Sequence, residues 1–165
     1  MVPKNEALTA LSQALRLEHE GRAFYLQVAE KTRDATCRAT FLSLADDERM
    51  HGEMIERQLH ALEGEGQYVL LPDISAPDID LGAKLFAPSR AQAVAKAGSH
   101  VLDIDALHLA LEMEIKSYDL YRQAAQRTPD AAGAQMYRWL ASAEMTHFNL
   151  LMGNYEGLVT RSSWV

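Results

Sequence analysis

This sequence has little of what several common functional sites require. Its 165 residues include one cysteine, Cys37, which excludes a disulfide framework and a cysteine-ligated zinc or iron–sulfur site. Lys and Arg number 16 against 23 Asp and Glu, and the basic residues form no cluster, so we expect no nucleic-acid partner. No apolar run approaches the roughly 18 residues of a membrane span, and the N-terminus does not resemble a signal peptide. We therefore expect a cytoplasmic protein that does not bind membranes.

The composition is typical of one folded domain. Apolar residues make up 48% and charged residues 24%, as in ordinary globular proteins. A chain of 165 residues is also long enough for a sizeable core. We therefore treat residues 1–165 as a single domain.

The most informative stretch lies between residues 41 and 55. A helix over this stretch would be apolar on one face except at Glu48 and His51, which lie one turn apart. A carboxylate in a core is costly unless it is paired or coordinates a metal. By itself the pair is weak evidence, because Glu-x-x-His also occurs on solvated helices whose charges are paired with Arg. A second copy changes that judgement.

The chain repeats this pattern at an offset of 96 residues, without a gap. The copies agree well beyond the Glu-x-x-His motif, which makes a chance match improbable. A glutamate also precedes each motif by 30 residues, and a tyrosine follows that glutamate by seven. The matching pairs that carry chemistry are Glu18 and Glu114, Tyr25 and Tyr121, Glu48 and Glu144, and His51 and His147.

Helical periodicity extends around all of these positions and predicts four long helices. We expect them at about residues 6–31, 37–62, from Asp103 or Asp105 to 127, and 131–152. In the first helix, Gly21 suggests the close approach of a neighbouring helix.

The connections between the helices predict how they are arranged. The short link after the first helix makes the first two helices antiparallel neighbours. Residues 63–102 are too long for a tight turn and predict a crossover along the bundle, with a small helix at 90–97. We expect Gly153 to end the fourth helix and residues 153–165 to form a tail that packs on the bundle or on another subunit.

Four helices in this arrangement would bring the repeated glutamates and histidines to one level of the core. Four carboxylates carry a charge of −4, which two divalent metal ions would balance, and neutral imidazoles complete the ligand set. Mixed carboxylate and imidazole ligation suits iron or manganese, and zinc can also occupy such a site. The sequence therefore predicts two metal ions and leaves iron, manganese and zinc open.

These residues resemble the rubrerythrin and ferritin-like di-iron family, and the resemblance covers all four helices. It implies an all-α fold, a ferritin-like antiparallel four-helix bundle in which two helical hairpins are joined by a long crossover. It also implies a role for each predicted ligand: bridging carboxylates Glu48 and Glu144, terminal carboxylates Glu18 and Glu114, and one histidine per metal, His51 and His147.

The resemblance further implies reduction of hydrogen peroxide or dioxygen by a diferrous site, in defence against oxidative stress. Tyr25 and Tyr121 occupy positions where the family has tyrosines that hydrogen-bond around the cluster, and we take them as candidate catalytic residues. Rubrerythrins commonly carry a rubredoxin domain, which this chain lacks, so its electrons would come from an external donor protein. They also carry an extra glutamate at the position of Ser117.

Two other functions fit the same residues. The protein would then be a ferroxidase that handles and stores iron, or a bundle whose metal is structural and not redox-active. In either case the resemblance leads us to expect a homodimer or a larger homo-oligomer, because family members are commonly of this kind.

Overall fold

The protein is described by a computed structural model that covers residues 4–32, 35–71 and 101–162. Four α-helices make up most of these residues. They are α1 (Lys4–Lys31), α2 (Ala35–Gly64), α3 (Val101–Arg127) and α4 (Ala131–Ser162). Within the described ranges, none of the helices is both apolar enough and long enough to span a bilayer.

The helix ends have local chemical causes. Thr32 closes α1, since its amide and its hydroxyl both donate to the carbonyl oxygen of Val28, at 2.9 and 2.8 Å. Gly66, which follows α2, has a φ of +76° and donates its amide to Ala61, a conformation that favours glycine after a helix. Asp130 caps α4 by accepting the amide of Gly133 at 2.9 Å.

The apolar core forms two clusters, one towards each end of the bundle. The first core cluster draws on the early parts of α1 and α4 and the late parts of α2 and α3, and includes Leu11, Ile55, Tyr121 and Leu140. The second core cluster draws on the opposite parts, and includes Tyr25, Phe41, Leu107 and Leu151. Helices α1 and α4 therefore run in one direction, and α2 and α3 run in the other.

The helices pack as two antiparallel hairpins, α1 with α2 and α3 with α4, and the hairpins meet along α1–α3 and α2–α4. The end of α2 and the start of α3 lie at opposite ends of the bundle, as a long crossover requires. This confirms the predicted ferritin-like four-helix bundle. Most of the predicted crossover and its small helix at 90–97 lie outside the described residues.

The predicted end of the fourth helix at Gly153 is wrong, because α4 continues to Ser162. A glycine ends a helix when it adopts a left-handed conformation, but among the described residues only Gly66 has a positive φ. Gly153 stays helical, and beyond it Tyr155 packs against the second core cluster. The third helix begins at Val101, slightly before the predicted Asp103 or Asp105.

Candidate metal centre

Midway between the two core clusters, the bundle buries six side chains that can bind metal. Each helix contributes at least one of them, at the level where the two hairpins meet. Their exposed fractions do not exceed 5%, which is rare for carboxylates without a compensating charge. The six are the predicted ligands Glu18, Glu48, His51, Glu114, Glu144 and His147.

The six residues form two overlapping groups, and within each group the candidate ligand atoms lie within 4.8 Å of one another. The first group takes Glu18 and His51 from the first hairpin, and the second takes Glu114 and His147 from the second hairpin. Glu48 and Glu144 belong to both groups. Two adjacent cation positions that share two carboxylates would have this arrangement.

In the first group, the imidazole of His51 faces the carboxylates through Nδ1. This atom lies 3.1 Å from Oε2 of Glu48, 3.3 Å from Oε2 of Glu18 and 3.5 Å from Oε1 of Glu144. One histidine nitrogen therefore meets carboxylates from three different helices.

The second group repeats this geometry with slightly longer distances. Nδ1 of His147 lies 3.5 Å from Oε1 of Glu48, 3.6 Å from Oε2 of Glu114 and 3.8 Å from Oε2 of Glu144. The rings of His51 and His147 stack, with centroids 5.4 Å apart and planes 19° apart. The imidazoles thus lie side by side on one side of the carboxylates.

The two predicted tyrosines connect the hairpins across the site. The hydroxyl of Tyr25 donates to Oε1 of Glu114, and the hydroxyl of Tyr121 donates to Oε1 of Glu18. Each tyrosine therefore binds one oxygen of a glutamate in the other hairpin. The second oxygens, Oε2 of Glu18 and Oε2 of Glu114, are the ones that approach the histidines.

The outer faces of the two histidines differ. Nε2 of His147 lies 3.4 Å from Oδ2 of Asp47, whereas the ring of His51 meets the edge of Trp139, with centroids 5.4 Å apart. Sequence reasoning missed both neighbours. The repeat could not reveal Asp47, because its counterpart 96 residues later is Ala143. Its one sequence signal was its place directly before Glu48 in the motif.

Comparison with known proteins agrees with this geometry. The sequence profile of rubrerythrin matches residues 9–155, which is most of the chain. This chain belongs to the rubrerythrin family. A solved structure of a hypothetical protein from Pyrococcus furiosus is similar, with a TM-score of 0.66, 25% identity, and coverage of 92% of this chain and 89% of that chain. Among curated proteins, none matches.

Burial perturbs the carboxyl groups of this member of the rubrerythrin family. Desolvation, together with a hydrogen bond to Glu48, raises the pKa of Glu18 to about 8. Desolvation and the neighbouring carboxylates raise the pKa of Glu144 well above its ordinary value. Burial acts the same way on Glu48, but hydrogen bonds with Glu18 and His51, together with the nearby imidazole of His147, outweigh it and lower its pKa. Of these three carboxyl groups, Glu48 is therefore the one whose charged form its neighbours favour.

The pKa values of the two imidazoles are raised, although burial alone would lower them. Desolvation lowers the pKa of His51, but Glu18 and Glu48 outweigh it and raise the value to about 10. Desolvation also lowers the pKa of His147, and there Glu114 and Glu48 raise it to about 11. Protons on the imidazoles therefore balance part of the carboxylate charge when no metal does so.

The packing of the site leaves some of these buried atoms without hydrogen bonds. Within the described residues, Oε2 of Glu114, Oε1 of Glu144 and Nδ1 of His147 have no hydrogen-bond partner. Each unsatisfied buried polar atom costs about 1–3 kcal/mol. Oε2 of Glu114 and Nδ1 of His147 belong to the second ligand group, and Oε1 of Glu144 faces His51 of the first. Cations bound by the two groups would satisfy these atoms. The residues therefore fit a bound metal ion of the kind that the rubrerythrin family implies.

Proposed function

We propose that this chain is a di-iron protein that reduces hydrogen peroxide or dioxygen with electrons from an external donor protein. The observation that carries the proposal is the pair of overlapping ligand groups that share Glu48 and Glu144. Membership of the rubrerythrin family supports it. A dinuclear site suits a two-electron reduction better than a single isolated metal ion does.

Each ligand has a role in this proposal. Glu18 and His51 would hold one iron, Glu114 and His147 would hold the other, and the two shared glutamates would hold both. Four carboxylates and two imidazoles form a ligand set that iron accepts, and manganese or zinc would also fit. A bound ferrous pair would supply two electrons, enough to cleave the O–O bond of hydrogen peroxide or to reduce dioxygen to peroxide.

The chain's own residues control protons and water around this reaction. Burial, together with Glu114, raises the pKa of Tyr25 well above its ordinary value of 10.0, and Tyr121 behaves likewise beside Glu18. Both phenols therefore stay protonated and hold a proton at their hydroxyl oxygen. The two core clusters close the bundle above and below the site and exclude bulk water from these directions. The expected cytoplasmic location and homo-oligomeric state stay predictions.

The proposal can be tested by titrating metal-free protein with ferrous iron under anaerobic conditions, then mixing it with hydrogen peroxide in a stopped-flow instrument. We expect saturation at two irons per chain, rapid oxidation, and repeated turnover when a reductant is added. Retention of many irons per chain would instead support the iron-handling alternative. Binding of zinc alone, with no response to peroxide, would support a structural metal and contradict the proposal.

A further inference from the structure

A pocket of about 280 Å³ lies between α1 and α3 and reaches the metal centre. Its inner end is formed by the carboxylates of Glu18, Glu48 and Glu114 and by Tyr25. The pocket therefore connects the ligand groups with the surface between the two hairpins.

Small residues keep the pocket open. Gly21 on α1 and Ser117 on α3 both line it, and they occupy matching positions of the 96-residue repeat. Leu17 and Met113, also a matching pair, add apolar wall. Both halves of the repeat therefore have a small side chain at the level of the carboxylates, where the pocket lies between α1 and α3.

The position of Gly21 beside the side chain of Glu48 gives a steric reason for a glycine there. A Cβ atom at Gly21 would lie 3.6 Å from Cγ of Glu48 and 3.8 Å from its Oε1. A methyl group fits at this distance, but a longer side chain would cover the carboxylate. Glycine costs about 1 kcal/mol relative to alanine inside a helix, and no turn or positive φ requires it here. The cost is consistent with a need for open space above Glu48.

The outer end of the pocket carries one exposed charge of each sign, Glu20 and Lys116. These charges offset each other, so the opening offers no net attraction to an anion or to a metal cation. The interior is also much larger than hydrogen peroxide needs, since one water molecule occupies about 30 Å³ in the liquid. A small neutral molecule with an apolar end would suit the balanced charge at the opening, the volume of the pocket and its apolar walls.

We propose that this pocket is the access path and docking site of the oxidant, and that it accepts small organic hydroperoxides as well as hydrogen peroxide. The alkyl group would lie against Leu17 and Met113, with the peroxide oxygens towards the carboxylates. This inference rests on the proposed function. In the reaction the O–O bond of ROOH breaks, and ROH and water form. Two electrons come from the external donor through the reduced site, and two protons come from solvent, one of them through the hydroxyl of Tyr25.

The test compares two glycine variants that differ in where they lie. Gly21→Leu fills the pocket, whereas Gly153→Leu makes the same change in α4 at a position where a Cβ meets no other atom within 4 Å. We expect iron-loaded wild-type protein and Gly153→Leu to be oxidised by both hydrogen peroxide and tert-butyl hydroperoxide. Gly21→Leu should be oxidised at least tenfold more slowly, with the greater loss for tert-butyl hydroperoxide. Ser117→Leu fills the opposite wall and replaces Gly21→Leu if that variant does not fold.

A second readout separates the pocket from the chemistry. Azide binding to the oxidised, iron-loaded protein is followed by absorbance, with iron content measured in every variant. Slower azide binding in Gly21→Leu, at two irons per chain, supports the access path even if no peroxide reacts, and that result would overturn the proposed function alone. Unchanged azide and peroxide rates in Gly21→Leu would overturn the access path. A wild-type protein that reacts with hydrogen peroxide but not with tert-butyl hydroperoxide would overturn the wider substrate range.

Discussion

His51 in the first hairpin and His147 in the second occupy matching positions of the repeat, and both direct Nδ1 at the carboxylates. Their outer faces are different. His147 has the carboxylate of Asp47 at 3.4 Å from Nε2, and His51 has the edge of Trp139. In the proposed metal centre, coordination chemistry restricts the residues that face the metals in both halves, whereas the residues around them differ. Because outer partners tune a ligand's orientation and basicity, we expect two metal positions of unequal affinity.

The tyrosines give a second contrast between the halves. Tyr25 and Tyr121 make equivalent hydrogen bonds, but Tyr25 lines the pocket between α1 and α3, and Tyr121 does not. The same phenol therefore has a structural role in both halves and faces the proposed substrate in one. Variants at matching positions of the two halves should therefore behave alike where the halves are alike and differently where they differ.

Removing a shared carboxylate should have the largest effect. Glu48→Ala or Glu144→Ala should lose metal at both positions, because each residue belongs to both ligand groups. Glu18→Ala should lose metal at one position only. The affinity losses should exceed the roughly 10- to 100-fold that changes in outer partners cause. Metal per chain, measured after dialysis, tests this, with exposed Glu20→Ala as the control. Equal metal content in all four variants would refute the ligand assignment.

The pKa shifts predict that pH acts on both halves in the same direction. His51 and His147, with pKa values of about 10 and 11, bind protons more tightly in the folded protein than at their ordinary value of 6.5. Their contribution to stability is therefore complete below pH 6.5 and is lost as pH rises towards 10 and 11. The raised pKa of Glu18, about 8, also makes the folded protein less stable as the pH rises.

Thermal unfolding of metal-free protein should accordingly show a melting temperature that falls between pH 6.5 and pH 10. Metal affinity should rise over the same range, because metal ions compete with protons for the same atoms. Calorimetric titration with cobalt at several pH values measures the second effect and the protons released. A melting temperature that rises with pH would contradict the assigned protonation states.

Asp47 should make a smaller difference, confined to one metal position. Asp47→Ala makes the two halves alike at this position and should weaken the binding of one metal ion about 10-fold. This is near the lower end of the range for residues that contact a ligand from outside, because Asp47 is partly exposed. Ala143→Asp should strengthen the binding of the other metal ion. Calorimetric titration resolves the two binding events, and exposed Asp46→Ala is the matched control. If Asp47→Ala weakens the binding of both metal ions equally, Asp47 is not what makes the two metal positions different.

The tyrosine variants should give the smallest effects. Tyr25→Phe and Tyr121→Phe each leave a buried glutamate oxygen without its donor, which should cost about 1–3 kcal/mol of stability. Urea unfolding of metal-free protein should show similar losses for both. Oxidation by peroxide should slow more in Tyr25→Phe, because Tyr25 alone of the pair lines the pocket. Equal kinetic effects would argue against this pocket as the route of the oxidant.

Much of the fold and of the cluster could be predicted from the sequence, because both depend on regular spacing. The heptad-like stripes predict four helices, and the repeat predicts that six ligand side chains lie at one level of the core. Asp47 could not be predicted from the repeat, because the repeat marks only what the two halves share and the counterpart of Asp47 is Ala143. The end of α4 was missed because Gly153 ends a helix only if its backbone turns left-handed, which residue type alone does not determine. Gly21 predicted the close approach of a neighbouring helix, but no pattern in the sequence predicts the pocket that Gly21 also lines.

The covalent link between the two hairpins has a consequence for what such a site can become. Two identical hairpins assembled as a symmetric dimer would present every residue twice. An aspartate beside one histidine would then stand beside both, and any change at one metal would be imposed on the other. With both hairpins in one chain, a mutation alters a single half. In the proposed metal centre, the chain can therefore keep the same ligands in both halves while one ion is bound more tightly and the other reacts more readily.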